Sequence, residues 1–327
     1  MFIDPTFTLD TVGCEFEVVE GEFRRNERFD PRRVWQLEAS TSNPEHPRSW
    51  SFSCGNLDSF GDPAKLLTTV VEYCEENYCA GLMQCVIFTP LPIKDLQDRL
   101  LPTFAEIPNR GLSRKVWDTI PCYLEKDMGT VTFVEPVSDV DMLLINFYFP
   151  GKEDDGYSAR GENAVDLLED KAEGGLYNVL KGKELIQYLS ARTSYEHTGY
   201  RKITILAHLT EAGAKNYPDV VQEVCHMIVR MKGEGPQQKR VEEQERLRHI
   251  QFCTSQAPDM AVASNIARYM LEPHLQPENL VYGSNEISIE SWFSAEDIAR
   301  TTGQLRPENM RLVLVPCVEQ PINLEWL

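Results

Sequence analysis

Two carboxylates offer the first chemistry in this chain. Glu15 and Glu22 lie seven residues apart in Glu15-Phe-Glu-Val-Val-Glu-Gly-Glu22. In a helix that spacing is about two turns, which puts both on one face. Phe16, Val19 and Phe23 follow an i, i+3, i+7 pattern on an adjoining face and would anchor the helix in a core. Paired carboxylates beside an apolar anchor can ligate a metal or move protons. Spacing alone favours the plainer reading, a solvated acidic helix face.

The surrounding elements follow from periodicity and breakers. The acidic helix runs on toward Trp35-Gln-Leu-Glu38, and Asp30-Pro31 restarts it, with Asp30 as cap and Pro31 in the first turn. Thr41-Ser-Asn-Pro-Glu-His-Pro47 opens a loop. Amphipathic helices are predicted at about 63–79 and 92–107, with a strand Leu82–Phe88 between them. A polar stretch holds the domain boundary, giving a first domain over 1–110, a linker at 111–116 and a second domain over 117–327. In the second, strands are predicted at Thr130–Val137, Met142–Phe149, Tyr200–Thr210 and Met310–Val315. Its helices are predicted at about 157–170, 176–181, 217–231, 236–252, 258–271, 275–282 and 294–304. The fold class is α+β, two consecutive units of helices packed on one face of an antiparallel sheet.

Composition bounds the function. The 327 residues are 42% hydrophobic, enough for packed cores, and the net charge of -19 argues against nucleic acid as partner. No apolar run is long enough for a membrane span, and no leader pattern appears at the start. Nine scattered cysteines without a C-x-x-C pair fit reduced thiols, hence a cytoplasmic expectation. Six separated histidines form neither H-x-x-E-H nor H-E-x-x-H, and nucleophile elbow, P-loop and dinucleotide fingerprint are missing. Glu45-His46 reads as structural, and Cys74, Cys79 and Cys85 as core filling.

A resemblance adds the rest. Phe2-Ile-Asp-Pro-Thr-Phe7, Glu15-x6-Glu22, Gln36-Leu-Glu38, Asn43-Pro-x-His-Pro47 and Gly55-Asn56 resemble the insulysin branch of the insulinase/pitrilysin zinc metallopeptidases. Tyr78-x3-Leu82-Met83, Gly174, Leu176-x3-Leu180-Lys181, Leu209-Thr-Glu211, Glu234-Gly-Pro-Gln237 and Leu305-Arg-Pro-Glu-Asn309 continue the similarity in order. The resemblance implies that Glu22 occupies the third zinc-ligand position and Glu15 that of a supporting carboxylate, with the first domain incomplete. It also implies peptide substrates enclosed in a chamber, and peptide-bond hydrolysis by a zinc-activated water and the glutamate of H-x-x-E-H.

Two departures qualify it. H-x-x-E-H does not occur, so the two zinc-binding histidines are absent and one glutamate cannot complete a three-ligand site. Where the branch has G-H-E-G-x-G, this chain reads Glu169-Asp-Lys-Ala-Glu-Gly174. The expectation is therefore a truncated zinc metalloendopeptidase, inactive alone and without stable zinc. The alternatives are a non-catalytic chamber-forming subunit that pairs with a family chain carrying H-x-x-E-H, and a degenerate remnant without an independent role.

Overall fold

Alternation in three apolar strands builds the core of the molecule. The computed structural model describes residues 2–50, 54–115, 119–150, 165–196, 200–235, 238–254, 259–271, 277–281 and 295–317. Strands β1 (Thr130–Phe133), β2 (Met142–Pro150), β3 (Ile186–Glu196), β4 (Tyr200–Leu209) and β5 (Met310–Val315) form one sheet in the order β1-β5-β2-β4-β3. β5 pairs parallel with β1, and the other three pairings are antiparallel. Because strand side chains alternate, Leu143, Ile145, Phe147 and Phe149 share one face with Ile203, Ile205, Leu312 and Leu314. Helices α7 (Leu176–Gly182), α9 (Tyr217–Glu234) and α12 (Ala295–Gln304) cover that face with Leu180, Val224, Ile228 and Ile298.

Contacts group the chain into two compact units. The sheet belongs to the unit made of Phe29–Ser51, Val116–Ser255 and Tyr282–Leu327. The other unit comprises Met1–Arg28, Phe52–Lys115 and Gln256–Val281, and its described residues are helical and irregular. The grouping changes from one unit to the other between Lys115 and Val116. Residues 29–51 and 256–281 each group with the unit across it.

The helical unit carries α1 (Leu9–Glu27), α4 (Leu57–Phe60), α5 (Pro63–Asn77), α6 (Ile93–Phe104) and α11 (Asp259–Tyr269). Thr8 caps α1 through a reciprocal pair with Thr11. Phe16 stacks on Phe60 of α4 at 4.8 Å between ring centres. Among its described residues only Val12 and Cys79 are fully buried apolar side chains.

Several elements differ from the sequence expectation. Leu82–Phe88 is not a strand: Ala80–Leu82 is a single 3-10 turn, and residues 83–89 join no ladder. A strand exists only through a neighbour, and the described residues supply none here. β3 was not foreseen, since its polar residues alternate with Ile186, Leu189 and Ala191 as suits an edge strand. The helix expected at about 157–170 lies mostly outside the described residues, which are helical at 165–169.

Asp30 opens α2 (Asp30–Ser40), but its carboxylate does not cap it. It accepts hydrogen bonds from the Val137 and Ser138 N–H groups and the Ser138 hydroxyl, and pairs with Arg33 at 2.6 Å. Burial raises its pKa, but these bonds outweigh burial and hold it at about 2 against an ordinary 3.8. A depressed carboxylate stabilises the fold above its unfolded pKa and ceases to as pH falls through the folded one. Asp30→Asn is therefore expected to cost about 2 kcal/mol above pH 4. That difference should shrink toward zero as pH falls from about 4 to about 2, read from urea midpoints across that range.

Helix α8 (Glu211–Lys215) is capped by the Thr210 hydroxyl, which accepts from Gly213 N–H at 3.0 Å. A Cβ on Gly213 would lie 1.8 Å from the Leu185 carbonyl oxygen. Gly213→Ala is expected to destabilise by about 1–3 kcal/mol through forced backbone shift, measured by urea unfolding.

Candidate functional site

The second face of the sheet is polar where the first is apolar. Asn146, Thr204 and Arg311 stand side by side in register, and Tyr148 lies opposite Lys202. Helix α2 covers this face, placing Val34 against Val313 and Val315 and turning Glu38 toward the polar rows. One Glu38 carboxylate oxygen accepts from Asn146 Nδ2 at 2.8 Å and from the Tyr148 hydroxyl at 2.7 Å. The other lies 3.2 Å from Lys202 Nζ and 3.7 Å from Arg48 Nη2. Tyr123 donates to the Glu38 backbone carbonyl at 2.7 Å, and Thr204 donates to Asn146 Oδ1.

Arg48, on the short helix α3 (Pro47–Trp50), bonds the Tyr200 hydroxyl and lies over the Trp35 ring. Burial works against its charge, yet the facing tyrosines and Glu38 hold its pKa above the ordinary arginine value. Burial, then the charge of Glu38, pushes the Tyr148 hydroxyl far up. Tyr123 is pushed up to about 12, chiefly by burial. The hydroxyls thus stay neutral and act as donors. Asn43 donates to the Pro121 carbonyl at 2.9 Å, and the buried His46 accepts from the Arg48 N–H through Nδ1. A buried carboxylate with its donors satisfied and two cations beside it fastens α2 and the following loop to the sheet. Among the described residues its groups, Glu38, Arg48, Tyr123, Asn146, Tyr148, Tyr200 and Lys202, are all buried.

The sequence singled out Glu15 and Glu22 instead. Both lie exposed on α1, about 10 Å apart along its axis at helical rise. The Cys54 thiol is pushed up by burial first and by the charge of Glu22 second. Among the described residues no three His, Cys, Asp or Glu side chains gather into a metal-holding group. Two carboxylates two helical turns apart cannot share one zinc ion at bonding distances near 2 Å. The residues present do not fit a zinc centre. On α1 the carboxylate with defined partners is Glu20, which accepts from Leu57 N–H at 2.9 Å and Arg24 at 2.8 Å.

The variant segment 169–174 also has structural partners. Glu169 accepts from the Ala191 N–H on edge strand β3, Asp170 pairs with Arg240 at 3.2 Å, and Lys171 lies over the Tyr177 ring. A cleft of about 780 Å³ opens beside α7 and α8, lined by Lys181, Glu184, Thr210, Glu211 and Lys215. Glu211 and Lys215 pair with each other at 2.5 Å, so its charges are balanced internally. None of these cleft residues was a sequence candidate.

Comparison with known proteins agrees with this architecture. Residues 67–247 match the model described as the peptidase M16 inactive domain. The chain belongs to the M16 peptidase family, the insulinase/pitrilysin group of metallopeptidases and hydrolases. It is 26% identical over 318 residues to a Schizosaccharomyces pombe protein named as a zinc protease, covering 96% of this chain and 32% of that one. Against the human insulin-degrading enzyme it is 24% identical over 324 residues, covering 96% of this chain and 31% of that one. The crystal structure of pitrilysin superposes with a TM-score of 0.87 at 22% identity, over 98% of this chain and 34% of that one. The chain spans about a third of the length of the curated relatives it matches. Zinc belongs to the family. No helix among the described residues is long and apolar enough to cross a membrane.

Proposed function

We propose that this chain is a non-catalytic part of an insulysin-like zinc endopeptidase. By itself it neither hydrolyses peptide bonds nor holds zinc stably. It forms wall of a peptide-enclosing chamber beside a segment or subunit that carries H-x-x-E-H. The observation that carries this reading is the match of the inactive-domain model to residues 67–247 in a sequence without H-x-x-E-H. The polar face supports it, since Glu38 and its partners build a rigid wall rather than a reaction centre. Glu22 and Glu15 keep their proposed roles, third zinc ligand and supporting carboxylate, only where two histidines come from elsewhere.

The test is reconstitution. The chain is mixed with a family polypeptide that bears H-x-x-E-H and lacks its own inactive domain, and cleavage of a fluorogenic peptide is followed. Cleavage that appears only in the mixture and is lost with Glu22→Gln supports the reading. A mixture that stays at background with both polypeptides folded counts against it. A second reading, an independent chamber-forming subunit, is favoured by the scarcity of buried apolar side chains in the helical unit. Co-purification of the natural chain with a separately encoded family peptidase would select it.

A further inference from the structure

We infer that His249 and Cys253 form a two-ligand site for a borderline-soft divalent cation of the zinc and cadmium class. This goes beyond the family reading and does not depend on it. Helix α10 (Gln238–Thr254) carries both residues, and a spacing of four places them on one face, one turn apart. Cys253 Sγ and His249 Nε2 are 3.6 Å apart. In a tetrahedral zinc site, bonds of about 2.3 Å to sulfur and about 2.1 Å to nitrogen set those two donors about 3.6 Å apart. The pair thus already has the bite that one cation needs. Both donors stand on a single helix, so their spacing owes nothing to other parts of the molecule.

The donor set selects the cation. A thiolate and an imidazole suit zinc-class metals, whereas calcium and magnesium take oxygen ligands. Without metal the thiol and the ring share a hydrogen bond, and the cation takes the place of its proton. Binding balances as one cation in and one thiol proton out to solvent, with the imidazole neutral and bonding through Nε2. Both side chains are exposed, so water fills the remaining positions. Two protein ligands in place of three or four make the site weak, and its cation leaves when free metal is removed. The net charge of -19 raises the concentration of cations around the chain. The pair lies in the final turns of α10, where the Thr254 hydroxyl donates to the Ile250 carbonyl at 2.7 Å. A cation joining residues 249 and 253 spans this turn and holds it against fraying.

The full chain is titrated with zinc and followed by amide hydrogen exchange and by iodoacetamide labelling, each mapped to peptides. Zinc should slow exchange across residues 249–254. Alkylation of Cys253, which needs the free thiolate, should fall about tenfold. Magnesium at the same concentration should do neither. Cys253→Ser and His249→Ala should each abolish the slowed exchange, and His249→Ala should restore alkylation of Cys253 in the presence of zinc. Glu22→Gln should leave both readouts as they are in the unaltered chain. Exchange and labelling that do not respond to zinc overturn the proposal. So does zinc protection of Cys253 that persists in His249→Ala, which would assign binding to the thiolate alone. Should either variant fail to fold, the zinc response of residues 249–254 in the unaltered chain still decides.

Discussion

Replacing Glu38 by alanine is expected to destabilise the sheet-bearing unit by about 3–5 kcal/mol, the loss that follows when one partner of a buried charge network is removed. The carboxylate faces both Lys202 and Arg48, and both cations are at most 9% exposed at the side chain. Its removal also strands the Asn146 amide and the Tyr148 hydroxyl, each of which now donates to it. Unsatisfied buried donors add their own desolvation cost. Glu38→Gln retains the shape and some acceptor capacity, so it should lose less than alanine while still removing the negative charge that faces Lys202 and Arg48. Urea unfolding of the three proteins, followed by tyrosine and tryptophan fluorescence, reads the ranking. A loss below 1 kcal/mol for alanine would mean the network does not hold α2 in place.

Phe147→Ala is expected to cost about 3–5 kcal/mol, because the ring fills the centre of the sheet-helix core and leaves a cavity there. Phe147 is 1% exposed on β2, with β4 and β5 on either side. The contrasting change is Phe88→Ala. That ring is 61% exposed, so the monomer should lose well under 1 kcal/mol. Equal losses for the two variants would contradict the assignment of the core to the sheet-bearing unit. The same asymmetry predicts that limited proteolysis cuts first within residues 54–115, where fully buried side chains are scarce.

The comparison of sequence with structure divides along the range of the interactions involved. Strands with strong local pattern were legible: Met142–Phe149 and Met310–Val315 agree with β2 and β5 to within a residue. Leu82–Phe88 has an equally strong pattern and is not a strand, because pairing is a property of the neighbour and not of the segment. Asp30 looked like a cap from its place before Pro31, while its partners Val137 and Ser138 lie more than a hundred residues away. Glu38 shows the same limit. In sequence it is one acid in Gln36-Leu-Glu38; only the folded chain brings Asn146, Tyr148 and Lys202 to it. Glu15 and Glu22 were read correctly as sharing a helix face, and that face is solvent-exposed.

The claim that this chain is non-catalytic by itself is tested most directly by metal content and peptide cleavage on one preparation. The purified chain is equilibrated with zinc, freed of excess, and assayed with a fluorogenic peptide beside Glu22→Gln. The account predicts far less than one zinc per chain and cleavage indistinguishable between the two proteins and the blank. One zinc per chain together with cleavage that Glu22→Gln abolishes would contradict it.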